Sequence, residues 1–226
     1  RNLSVVLGGP LYQMLHRSRL CDDTLRHVRR RIVIFVAICW LPLLILSAWS
    51  GSLLRHADLT VPFLLDMELH ARLLVAMPLL ILAELVLHRR MLPVVGTFLD
   101  RRLIPESAIP EFEAAIATAT RQRNSVAAEV IMIFVVYAIG ILVLYRQFIA
   151  LDVTTWHSSF ENSVRHATTA GLWFAFVSLP IFQFMLVRWY YRIFVWVCFV
   201  WNVSRIRLDL FPTHPDRVAG LGFLSV

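Results

Sequence analysis

The run Ile32–Trp49 (IVIFVAICWLPLLILSAW) holds 18 residues without a charge and follows directly on Arg29-Arg30-Arg31. As a helix it would be about 27 Å long, close to the ~30 Å hydrocarbon core of a bilayer. A helix apolar on every side needs an apolar surrounding along its whole length, so this run predicts a membrane crossing and makes the lipid bilayer the first partner. Composition agrees: 58% of the residues are hydrophobic and the mean hydropathy is +0.68, whereas soluble domains are about half apolar. The formal net charge is +7, and all 22 basic residues are Arg. Positively charged cytoplasmic loops account for that excess, so nucleic acid is not an expected partner.

Three more runs repeat the pattern, and the fold class expected is all-α: a polytopic membrane protein with four transmembrane helices. The spans are expected at about 32–49, 61–87, 126–145 and 170–187, with Pro42, Pro78 and Pro180 inside three of them. Residues 1–31 carry seven Arg, and Leu11, Met14 and Leu15 recur at helical spacing, so this segment reads as a cytoplasmic amphipathic helix on the membrane surface. Residues 88–125 form a cytoplasmic segment with a helix opening at Pro110, a favoured first-turn residue. After span 4, Ile193–Trp201 has nine apolar residues, too few to cross. It is read either as a cytoplasmic helical extension packing near Phe112, the favoured alternative, or as a piece lying flat among headgroups. Residues 210–226 read as a cytoplasmic loop leading to a further span. With this topology 18 Arg fall on the cytoplasmic side and four (Arg55, Arg72, Arg146, Arg165) on the other, which puts both termini in the cytoplasm.

Ionisable residues drawn into apolar helices mark the candidate site. Span 2 reads VPFLLDMELHARLLVAMPLLILAELVL. Asp66 and His70 are four apart, as are Glu68 and Arg72, so each pair shares a helix face. An outward-facing polar site for a proton, ion or ligand is expected there; mutual neutralisation of Glu68 and Arg72 at the interface is the plain alternative. Glu84 and Glu129 stand one turn inside the cytoplasmic boundary of spans 2 and 3, where they are read either as lining a cytoplasmic exit or, the favoured alternative, as pairing with a cytoplasmic Arg such as Arg89. A metal site is a weak candidate: Asp66 and His70 lie on the outer side with His56, His157, His166, Asp58, Asp152 and Glu161, but no HxxxH or HExxH spacing occurs. His70 is the only histidine within a span, so an axial haem pair is not expected.

Three cysteines (Cys21, Cys39, Cys198) without CxxC spacing argue against a disulfide framework or zinc ribbon. His214-Pro215-Asp216 matches the tripeptide of J-domain co-chaperones but follows a membrane span, so it reads as a turn. GxSxG, P-loop and dinucleotide fingerprints do not occur, so neither an enzyme nor a cofactor is expected.

The stretches GGPLYQMLHR, DMELHARLLVAMPLLILAE, SLPIFQFMLVRWYYRIFVW and RIRLDLFPTHPDRVAGLGFL together resemble a family of uncharacterised bacterial multi-pass membrane proteins with H-A-R…P-L-L…A-E and P-T-H-P-D-R…G-L-G-F-L motifs. The resemblance covers nearly the whole chain. It implies a place in the bacterial inner membrane and further spans after G-L-G-F-L, and it carries no activity with it. Ala219 stands where members more often have Gly. The function expected is transporter- or channel-like, acting on a small ion or proton. The alternative is a structural or assembly subunit that binds another membrane protein or forms a homo-oligomer.

Overall fold

The computed structural model describes residues 25–54, 61–100, 103–150, 155–161 and 164–208. The expected N-terminal amphipathic helix, apart from its last residues, and the loop at 210–226 lie outside them. Helix α1 is Leu25–Trp49. Helix α2 joins Met67–His70, a π-helical turn Ala71–Ala76 and Met77–Asp100. Helices α3 (Ile109–Arg123) and α4 (Val126–Ala150) follow. A two-stranded antiparallel hairpin, β1 (Ser158–Glu161) and β2 (Val164–Ala167), pairs Ser158 with Ala167. Helix α5 joins Thr169–Trp173, a π-helical turn Phe174–Ser178 and Leu179–Ser204. The fold is thus helical but for this hairpin, which an all-α expectation omitted.

Among the described residues three helices are long and apolar enough to cross a membrane, Val28–Trp49, Met67–Leu87 and Thr169–Ser204. A fourth crossing results if Glu106–Arg123 and Val126–Gly140, bent by 43°, count as one span. Several expected boundaries need correction. Span 2 does not begin at Val61: Pro62 precedes a 3₁₀ turn, Phe63–Leu65, and Asp66 caps the helix that starts at Met67. That helix runs on to Asp100, through residues expected in a cytoplasmic segment. Helix α4 continues past Tyr145 to Ala150, whereas α5 runs past Val187 to Ser204 as the favoured reading of Ile193–Trp201 expects.

The described residues form two compact units, one from residues 22–82 and 130–188 and the other from 83–129 and 189–208. In the first, α1 packs against the opening turns of α5 and the π turn of α2. Cys39, Leu43, Phe63, Leu69, Leu73, Met77, Trp156 and Ala170 make its core. Helix α1 ends in a Schellman motif, with Ser52 N–H on the Ser47 carbonyl (3.0 Å) and Gly51 N–H on that of Ala48 (3.2 Å). Gly51 sits at φ +71°, the left-handed conformation such an ending needs.

The prolines organise this unit. Proline takes away one N–H, freeing the carbonyl four residues back, and its ring collides with that carbonyl. For Pro42 the freed carbonyl is that of Ile38, which accepts from Trp173 Nε1 of α5 at 3.3 Å. The next carbonyl, Cys39, accepts from buried Ser178 Oγ at 2.7 Å. Pro180 frees Phe176 O, which Tyr137 OH of α4 approaches at 3.5 Å. Pro78 and Pro180 each stand two residues after a π turn, where Met77 N–H reaches back to Arg72 O and Leu179 N–H to Phe174 O. The wider turn opens room for the ring.

In the second unit, α3 begins with Pro110 in its first turn and Glu111 beside it, and ends on Arg121 and Arg123, charges that suit its dipole. Its Phe112, Ala115 and Ala119 face Val195, Phe199 and Val203 of α5 in one apolar cluster with Val95 and Phe98 of α2. Phe112 is the hub, with ring centroids 5.9 Å from Phe98 and 6.1 Å from Phe199. The C-terminal part of α5 is therefore a helical extension that packs on Phe112.

Trp173→Phe is expected to destabilise the chain by about 1 kcal/mol in detergent, because Ile38 O loses its donor. In a Pro42→Ala background, where the backbone N–H restored at that position can take the Ile38 carbonyl, the same substitution should cost close to nothing. Thermal unfolding of the four proteins forms a double-mutant cycle; equal costs in both backgrounds would remove the proline explanation.

Candidate functional site

Residues Asp66–Arg72 open α2, and their roles follow from helix-end chemistry. The first N–H groups of a helix lack partners, and Asp66 supplies one: its Oδ1 accepts from Leu69 N–H at 3.0 Å. Its Oδ2 accepts from Trp156 Nε1 at 2.9 Å. Trp156 is itself fixed by its backbone, donating N–H to Val61 O (3.1 Å) and accepting from Thr168 Oγ1 on its carbonyl (2.8 Å). Thr168 Oγ1 in turn caps α5, accepting from Gly171 N–H at 3.0 Å. Gly171 is glycine because a Cβ there would stand 2.1 Å from the His157 carbonyl oxygen. One chain of bonds thus joins the starts of α2 and α5 through Trp156.

His70 does not bond to the Asp66 carboxylate, which is already engaged, but to its backbone carbonyl, with Nδ1 at 2.7 Å. A carbonyl only accepts, so Nδ1 carries the proton, and neutral His70 keeps its lone pair on Nε2. Among the described residues none bonds Nε2. The ring lies edge-on between Phe63 (5.3 Å) and Trp40 (6.1 Å). Trp40 Nε1 is buried and has no hydrogen-bond partner among the described residues. The site therefore holds an acceptor nitrogen and a donor N–H on neighbouring rings, at the edge of the π turn that begins at Ala71.

Glu68 and Arg72 form an ion pair one turn apart, with Glu68 79% exposed. Such a pair contributes little to stability. Arg72 also lies over the Phe182 ring of α5, 5.8 Å from its centroid, so its guanidinium ties α2 to α5.

Glu84 and Glu129 belong to the second unit. Glu84 pairs with Arg192 of α5, the two side chains being 16% and 6% exposed. Arg192 is the partner described, an Arg of the kind expected, and the side chain of Arg89 lies outside the described residues. Glu129 stands in the first turn of α4, after the Ser125 side chain accepts from Ala128 N–H at 3.3 Å. A carboxylate there suits the helix dipole.

The weak metal candidate gains no third ligand: among the described residues no group of three or more His, Cys, Asp and Glu could hold a metal ion. His56, Asp58 and Asp152 lie outside the described residues, as do the side chains of His166 and Glu161. Sequence reasoning missed Trp156 as the partner of Asp66, Arg192 as that of Glu84, and Gln183. The topology already put each pair on one side of the membrane, but nothing in the residues themselves joins positions so far apart. Gln183 carries no charge and so escaped a search for ionisable groups. Its Oε1 is buried without a partner among the described residues, 3.7 Å from where a Cβ on Gly140 would stand.

Trp156→Phe keeps an aromatic ring but removes the donor and part of the buried indole, and should lower stability by about 1–3 kcal/mol, from the half-buried Asp66 oxygen left short and the packing lost. Combined with Asp66→Ala, the two losses should add to less than their sum in thermal unfolding, since they break the same bond. Arg192→Met should cost up to about 3–5 kcal/mol by taking a charge partner from the mostly buried Glu84, and adding Glu84→Leu should recover most of it. Chemical unfolding in mixed micelles reads both; an undiminished loss in the Arg192/Glu84 double variant would sink the second claim. Among known proteins, no family model, no curated protein and no solved structure matches the chain.

Proposed function

We propose that the chain is an integral protein of the bacterial inner membrane, with both termini cytoplasmic, that passes a proton or small ion through the broken-helix centre around His70. The membrane part of this reading is supported by the surfaces of the candidate spans. Only 17%, 22% and 33% of their most apolar windows is buried within the chain. Large apolar side chains such as Ile45, Val75, Leu79, Phe134 and Phe176 are exposed on them, and hydrocarbon is the surrounding in which such faces are stable.

The observation that carries the transport reading is His70 itself. A ring whose Nδ1–H is fixed on a backbone carbonyl presents Nε2 as a ready proton acceptor, and its neighbour Trp40 offers an unused N–H. The group stands at the start of the π turn that precedes Pro78, against Trp40 of the proline-containing helix α1. π turns inside helices recur at functional sites, and irregular helices at membrane depth recur at transport sites. His70 exchanges the proton in this scheme, and Arg72, Glu68 and Asp66 shape the approach.

A second reading, a structural or assembly subunit, is favoured by one fact. Asp66 and Glu68 each have a partner within the chain, and Arg72 also meets Phe182 of α5, so charge around His70 is used for holding helices. Reconstitution separates the two. With the full chain in liposomes loaded with a pH-sensitive dye, a potassium diffusion potential should drive internal acidification faster than in protein-free liposomes. His70→Ala should bring it back to the protein-free rate. Wild-type protein that gives only the protein-free rate, or a His70→Ala variant as fast as wild type, would refute transport at His70.

A further inference from the structure

Three rings meet at the start of the π turn of α2. Trp40 of α1 stands 6.2 Å from Phe63 and 6.1 Å from His70, and Phe63 stands 5.3 Å from His70, centroid to centroid. The planes cross at 45°, 74° and 61°, so none of the three pairs is stacked. The ring nitrogens lie on the edges of these rings. His70 brings Nε2, an acceptor once Nδ1–H is held on Asp66 O, and Trp40 brings the buried Nε1–H, which only donates. The two do not bond each other, and among the described residues nothing else bonds either. Seven residues after Trp40, two turns along the same side of α1, Ser47 is fully buried, and its Oγ is a further polar atom without a partner among the described residues.

Buried polar atoms without a protein partner are satisfied in folded chains by ordered water, which typically makes about three bonds where such groups converge. The pairing of a donor with an acceptor also selects the ligand. A metal cation could take the Nε2 lone pair but would be repelled by the indole N–H, and an anion could accept from the indole but would face that same lone pair. A group that both accepts and donates suits the two at once, and that is a hydroxyl: its oxygen takes the Nε1–H while its O–H points at Nε2. Two such bonds span roughly 5 Å around one oxygen, a reach that can join edge atoms of rings whose centroids are 6.1 Å apart. The carboxylates that would invite a cation are already engaged, Asp66 by Leu69 N–H and Trp156, and Glu68 by Arg72.

We propose that Trp40 is a positioning residue: its indole N–H and His70 Nε2 hold one water molecule between them, and the proton that His70 takes up arrives through that water, so the centre passes protons and not metal cations. In that step the water gives a proton to Nε2, leaving an imidazolium, and recovers one from the aqueous side. The proposal rests on the transport reading above, and its test keeps the two apart. The full chain, isotope-labelled at the nitrogens of His and Trp, is measured by solid-state magnetic resonance in phosphatidylcholine bilayers, whose lipid has no hydroxyl of its own. Magnetisation started on water protons should reach Trp40 Nε1–H and His70 Nε2 several-fold sooner than Trp173 Nε1–H, which is held on Ile38 O. In Trp40→Phe the water signal at His70 Nε2 should be lost while the Nδ1–H signal stays in place, which shows the start of α2 intact. Acidification of dye-loaded liposomes by that variant should fall on the order of tenfold, and rubidium uptake should not depend on His70. Signals at the two nitrogens that come from lipid protons, or that build no faster than the signal of Trp173, overturn the proposal alone. So does a Trp40→Phe variant as fast as wild type, or rubidium uptake that His70→Ala abolishes. Water at both nitrogens with acidification no faster than in protein-free liposomes overturns the transport reading beneath it, and with it the role given to the water.

Discussion

A carbonyl released by a proline inside an apolar helix has no water to turn to, and the packing of α1, α4 and α5 is arranged around that need. Trp173 and Ser178 bring donors to Ile38 O and Cys39 O below Pro42, and Tyr137 brings one to Phe176 O below Pro180. An unsatisfied backbone group in such surroundings costs several kcal/mol. Donors so placed therefore choose which helices neighbour each other, a choice that the exposed leucines and valines of the same helices cannot make. The π turns before Pro78 and Pro180 are the other half of the arrangement, because they move the carbonyl that the ring would strike.

Charge has a similar structural use. Asp66 divides its two oxygens between a helix cap and the Trp156 indole, Arg72 bridges Glu68 and Phe182, and Arg192 meets Glu84. Each tie joins parts of the chain that are apolar elsewhere and would slide without a directional contact. His70 differs from these groups. Its one described bond fixes the tautomer, and among the described residues no group bonds the other nitrogen.

Much of the helical plan could be read from the residues, since unbroken apolar runs, flanking arginines and interior prolines act locally. The Phe112 extension was readable for the same reason: Ile193–Trp201 is too apolar to be a free loop and too short to be a span. What escaped were boundaries and partners. Val61–Leu65 is as apolar as a helix interior, yet Pro62 and the capping carboxylate of Asp66 exclude it from α2. Asp66 and His70 have the spacing of a side-chain pair, but the indole of Trp156 had already taken the carboxylate, and no periodicity reports a competitor 90 residues away. Uncharged polar groups such as Ser178 and Gln183 looked like part of the apolar background, although in a dry interior a single hydroxyl or amide decides a contact.

The bond between Asp66 and Trp156 also sets a schedule. A ribosome adds about 5–20 residues per second, so the indole becomes available on the order of 5–20 s after the carboxylate it will bind, a delay fixed by the 90 residues between them. Until then α2 can be capped through Leu69 N–H alone, and the other oxygen keeps its water. Closure of this end of the first unit thus waits for the chain to return through α4, and Thr168, which secures Trp156 and starts α5, arrives only 12 residues after the indole. Helix α5 can therefore begin at the moment its anchor is set, so that α2 forms first and is tied to α5 only as α5 starts.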